Sequence, residues 1–196
     1  MATQDIIQSF KQGGELNCVA VAVIKAAVEI FGMNGVFRSI ERSAAETTVT
    51  MLDGLSVTVT TDEITLASSS SGFACGSGRS LFEFAQLAFA VMAKRAQRAH
   101  NEGAVTFQEG ITSLNDGDNF ARGPEWLGLI RYVQQLKRKE IFRYAGVIGA
   151  SDTHCYLASF GYEDKFGQAA KITTFSMWFN GAKYKNFMRI CPQMCA

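Results

Sequence analysis

Residues 18–31, Cys-Val-Ala-Val-Ala-Val-Ile-Lys-Ala-Ala-Val-Glu-Ile-Phe, constrain the fold more than any other stretch of the chain. Their spacing is helical, yet apolar side chains fall on almost every face. A helix of that kind has to be buried at the centre of a domain. Asn17 is placed to cap it, its side-chain oxygen accepting a free backbone N–H of the first turn. Gly32 is placed to end it. Lys25 and Glu29 interrupt the run too soon for a membrane span, which needs roughly 20 apolar residues. The expectation is a soluble protein with no membrane partner.

The rest of the chain divides around that helix. Residues 1–11 read as a lead-in helix or arm, and 12–17 as a loop. Residues 47–51, 55–60 and 63–67 alternate β-branched with other residues. Asp53-Gly54 and Thr61-Asp62 supply turn signals between them, which predicts a β-meander over 46–67. Residues 68–78 read as a serine- and glycine-rich loop. Leu81, Phe82, Phe84, Leu87, Ala88 and Val91 form an apolar stripe, which predicts a helix over 79–98. Residues 101–123 read as irregular, and Pro124 opens a further helix to about Lys139. Strands are expected at 142–149, 155–162, 170–178 and 184–191. Helices early and strands late predict an α+β fold. It is expected as a single domain over 1–196, mainly helical over about 1–140 and mainly β over about 141–196.

Composition matters chiefly for what it excludes. The hydrophobic share of 47% and 15 phenylalanines supply an aromatic-rich core. A net charge of +1 and the absence of a polybasic block argue against nucleic acid as a partner. The small groups Lys94-Arg95-Arg98 and Lys137-Arg138-Lys139 read as solvated faces. The first 17 residues are polar, so no secretory signal is visible, and the chain is expected in the cytoplasm or exported without one. Five cysteines cannot all pair within one chain, which suits a reducing compartment or a working thiol. Cys191-x3-Cys195 has a spacing suited to a local disulfide or half a zinc site, but no second close pair accompanies it. No metal and no cofactor are expected.

The chemistry concentrates before and at Cys18. A cysteine in the first turn of a buried helix feels the positive end of the helix dipole and meets unpaired N–H groups. Both favour thiolate, the reactive form. Gln12, six residues earlier, has Gly13 and Gly14 behind it to fold the loop back. The Gln12 amide and the Cys18 N–H are two donors suited to a developing oxyanion. Of the two histidines, His154 opens a strand-like run and is the candidate general base and acid. His100 follows a basic helix and reads as surface.

Gln12-Gly13, Asn17-Cys18 and the alanine-rich helix behind them resemble papain-like cysteine peptidases, most closely the calpain-like and bacterial branches. Thr153-His154-Cys155-Tyr156-Leu157-Ala158-Ser159-Phe160-Gly161-Tyr162 is similar to the family's histidine strand, which ends in Gly-Tyr. Val19 departs from the pattern, since an aromatic often follows the nucleophile. The resemblance implies a helical lobe and an antiparallel sheet lobe with a cleft between them. It also implies an Asn or Asp on the following strand that orients the histidine. Asn180 is the right residue type. Ser176 takes that place if Trp178 marks the family's tryptophan, and Asp152 is a third candidate.

The activity implied is thiol acyl transfer, most simply hydrolysis of a peptide or isopeptide bond in a protein or peptide substrate. The same constellation serves deamidases and transglutaminase-like effectors. The alternative is a binding scaffold on the same fold with weak or lost catalysis.

Overall fold

The computed structural model describes residues 1–117, 119–173 and 185–195. Its elements run α1 (Thr3–Ser9), β1 (Phe10–Lys11), α2 (Cys18–Phe31), β2 (Phe37–Arg42), β3 (Glu46–Met51), β4 (Ser56–Thr60), α3 (Thr61–Ser70), β5 (Ala74–Cys75), α4 (Arg79–Arg98), α5 (Phe107–Asn115) and α6 (Gly123–Trp126). Strands β6 (Val133–Gln135), β7 (Val147–Ala150), β8 (Cys155–Leu157), β9 (Tyr162–Lys165), β10 (Gln168–Lys171) and β11 (Asn186–Ile190) follow. The fold is α+β, and every strand pairing among the described residues is antiparallel.

Helix α2 lies in the middle, as its sequence demands. Val19 through Val28 are all buried, and the helix packs on β7, β8 and β11 as well as on α1, α4 and α6. Gly32 ends it at φ 67, with its N–H bonded to the Val28 carbonyl. The two charged residues that interrupt the run are anchors. Lys25 is fully buried, its ammonium donating to the Ile7 carbonyl at 2.8 Å and to Asp164 Oδ2 at 2.6 Å. The Glu29 carboxylate accepts from the Thr3 hydroxyl and, at 2.7 Å, from the Gly146 N–H. A central helix so enclosed needs partners for its charges, because a buried unpaired charge is strongly destabilising.

The β-meander is present, but shifted toward the N-terminus. It consists of β2, β3 and β4 in that order, and Val49, Met51, Val57 and Val59 face the core. Residues 63–67, expected as its last strand, belong to α3. The reason is local. The Thr60 hydroxyl accepts the Glu63 N–H at 3.1 Å and the Glu63 carboxylate accepts the Thr60 N–H at 3.0 Å, a reciprocal cap that starts a helix. The same motif corrects the expectation of an irregular 101–123. Thr106 and Glu109 cap each other in the same way and launch α5. The expected loop 68–78 holds the end of α3 and the short strand β5.

The stripe over 79–98 forms α4, which packs against α3, α5 and the meander. The helix opened by Pro124 stops after one turn rather than reaching Lys139. Gly128 turns the chain at φ 75, and residues 133–135 then pair with β11. The four-stranded sheet runs β6-β11-β7-β8, and β9 with β10 makes a separate hairpin. Residues 142–146 are turn rather than strand, and β9 is split from β8 by a short helical turn at 159–161. Of the strand expected at 170–178, residues 174–178 lie outside the described residues.

All five cysteines are free. Cys195 Sγ lies 2.9 Å from Cys191 Sγ in a thiol–thiol contact. Burial, aided by that contact, pushes the Cys191 thiol up to about 11. Among the described residues no helix is long and apolar enough to cross a membrane.

Candidate functional site

The loop 12–17 is held from two sides. A Cβ on Gly13 would lie 1.9 Å from the Gly72 carbonyl oxygen, so the two backbones approach as closely as only glycine allows. Asn17 is fully buried, and its amide donates to the Ser71 carbonyl and to Asn115 Oδ1, each at 2.8 Å. Turned that way, the side chain presents its nitrogen to the neighbouring loops, and no side-chain cap forms on α2. The expected cap is therefore replaced by a clamp. It locks the residue before Cys18 to α3 and α5, with the Leu16 N–H adding a bond to the Asn115 carbonyl.

Cys18 itself is half-buried at the start of α2. Helix α2 packs on β8, which brings the Cys155 N–H against the Cys18 sulfur. The balance at this thiol differs from the expected thiolate. Burial raises it above the ordinary thiol value, and the N–H groups of Cys155, Val19 and Cys18 pull the other way without overcoming burial. Cys155 is buried deeper, and its thiol is pushed well above the ordinary value by burial and by the neighbouring Cys18.

His154 is presented by the turn between β7 and β8. The Ser151 hydroxyl accepts the His154 N–H at 3.0 Å and the Thr153 N–H at 3.3 Å, and the Ser151 N–H donates to the His154 carbonyl at 2.9 Å. The imidazole stacks on the Phe166 ring, with centroids 4.9 Å apart and planes 24° from parallel. Tyr156 stacks from further off at 6.2 Å.

Two cavities meet at Cys18 and His154. The smaller, about 10 Å³, is lined by Gln12, Cys18, His154, Cys155, Tyr156, Asp164 and Phe166 among others. It has room for a single oxygen-sized group. The larger, about 260 Å³, is lined by Cys18, Val19, Gly117, Phe120 and residues 150–155.

The structure thus brings Gln12, Cys18 and His154 to one cavity. The Gln12 amide donates to the Glu15 carbonyl at 2.5 Å, which fixes it within its own loop. Asp152 does not join them. Its carboxylate is exposed and pairs with Lys185 Nζ at 2.6 Å. Asn180 and Ser176 lie outside the described residues. His100 is exposed, its Nδ1 3.0 Å from the Ala104 carbonyl.

Sequence reasoning missed Asp164, Tyr156 and Phe166. Asp164 belongs to β9, and its second oxygen, Oδ1, accepts the Gly167 N–H at 2.6 Å. The only signal was Lys165-Phe166-Gly167, a glycine two residues after a strand end, which marks a hairpin. No protein-family model matches this chain, no curated protein matches it, and no solved structure matches it.

Proposed function

We propose that the chain is a thiol-dependent acyl-transfer enzyme of papain-like architecture, most simply a cysteine peptidase acting on a peptide or isopeptide bond. The observation that carries this reading is the shared cavity of Cys18, His154 and Gln12 at the start of a buried helix. In the reaction, Cys18 Sγ attacks the substrate carbonyl as its proton passes to His154. The oxyanion sits in the oxygen-sized cavity, facing the Cys18 N–H and the second N–H of the Gln12 amide, the first being given to the Glu15 carbonyl. His154 returns the proton to the leaving amine. Water then attacks the thioester, with His154 as base, and releases the acid and the free thiol. The 260 Å³ cavity beside Cys18 is the side from which an acyl group enters.

The raised Cys18 thiol makes the base essential. Alone, this thiol ionises only above the ordinary thiol range, so reactivity at neutral pH has to come from proton transfer to His154. The orienting residue for His154 stays assigned to Asn180, with Ser176 as the alternative. Deamidation and transglutaminase-like transfer use the same steps with a different acyl donor or acceptor.

The same raised thiol favours a second reading, a binding scaffold in which Cys18 is inert. Iodoacetamide labelling of each cysteine against pH, read by peptide mass, separates the two. Under the enzyme reading, Cys18 labels faster than the other four thiols below pH 7. His154→Ala slows that labelling by roughly 10²-fold or more and moves it into alkaline pH. Slow Cys18 labelling that is unchanged in His154→Ala would leave the scaffold.

A further inference from the structure

Phe166 occupies a position that an aromatic residue avoids. It has φ 50 and is followed by Gly167 at φ 84, two successive left-handed residues at the tip of the β9–β10 hairpin. Asn, Asp and Gly are the usual choices there, because a Cβ in that region meets the following carbonyl. Phe166 is also 60% exposed, so hydrophobic burial does not account for it. Among the described residues its one close ring partner is His154, at 4.9 Å. The turn that holds it is built by a chain of contacts from the centre of the molecule. Lys25 Nζ donates to Asp164 Oδ2 at 2.6 Å, and Asp164 Oδ1 accepts the Gly167 N–H at 2.6 Å.

We infer that Phe166 is a positioning residue for His154, its ring fixing the plane of the imidazole and stabilising the imidazolium formed when Cys18 gives up its proton. The inference rests on the Cys18/His154 reading above. A cation over an aromatic face is attracted by the ring quadrupole, and the stacked geometry leaves the imidazole edges free for proton transfer. Tyr156 backs the ring more distantly. Among the described residues, the other titratable groups around the imidazole are Cys18 from α2, Cys155 from β8, Tyr156, the Asp164–Lys25 pair, and the Asp152–Lys185 pair.

The test is the ratio of Cys18 labelling rates by iodoacetamide at about pH 6 and about pH 9, which cancels changes in access. It is measured in the wild type, Phe166→Asn, Phe166→Leu, Phe166→Tyr and His154→Ala, with a thermal melt of each. Asn suits the left-handed turn, so Phe166→Asn melts no lower than the wild type. Its labelling ratio falls about two- to five-fold. Phe166→Leu, which keeps bulk but lacks the ring face, falls as far, and Phe166→Tyr restores the wild-type ratio. If His154→Ala loses the ratio while Phe166→Asn and Phe166→Leu keep it, the role of Phe166 is overturned and the Cys18/His154 pair stands. If His154→Ala keeps it as well, both fall.

Discussion

The two walls that meet at the cavity are built in opposite ways. On the Cys18 wall, the main supports are internal. Asn17 is buried and bound to two other segments, and α2 is buried from Val19 to Val28. On the His154 wall, the supports are at the surface. Among the described residues they include one serine hydroxyl inside a four-residue turn and one exposed ring on a hairpin tip. Buried contacts fix the start of α2, whereas these two supports of the imidazole lie at or near the surface. In the proposed reaction the nucleophile has to stay put, while the base has to hold a proton and then turn to deliver it, and supports near the surface suit that task.

The buried pair that ties the walls together sets the largest expected effect. Lys25→Met leaves Asp164 buried without its cation and is expected to cost about 3–5 kcal/mol of stability in urea unfolding. Adding Asp164→Leu to it should recover part of that loss, because the uncompensated charge goes. A double variant less stable than Lys25→Met would show that the pair contributes through something other than charge balance.

Next in size is the clamp. Asn17→Ala strips the Ser71 carbonyl and Asn115 of their shared donor, an expected loss of about 1–3 kcal/mol by the same measurement. Ser151→Ala, on the opposite wall, is expected to lose only about 0.5–1.5 kcal/mol. It should instead slow Cys18 labelling near neutral pH, since the turn presenting His154 loosens. The comparison breaks if the order is reversed, with Ser151→Ala the more destabilising and Asn17→Ala the one that alters reactivity.

What the sequence made readable follows the same division. Helix α2 was legible because an all-round apolar run has one solution, and α4 because its stripe is long and regular. Helices α3 and α5 were missed although Thr60-x-x-Glu63 and Thr106-x-x-Glu109 stood in plain view. The β-branched residues of 63–67 and the glycines of 101–123 outweighed two caps that in fact decide the matter. The helix after Pro124 was overextended because Gly128 turns the chain and residues 133–135 then pair with β11, more than fifty residues further on. At the site, Gln12, Cys18 and His154 could be picked out by residue type and spacing. Asp164 and Phe166 could not, because their meaning comes from a turn that an aromatic residue does not advertise.

The clamp and the buried pair also govern when this site comes into being. Asn17 joins partners 54 and 98 residues away, and Lys25 joins one 139 residues away. A chain made from its N-terminus exposes Cys18 early, with neither clamp nor base. Such long loops close late in folding, after their entropy has been met by the rest of the core. The thiol therefore gains these neighbours only after the chain has been made and folded as far as Asp164, and the proposed chemistry waits on that step.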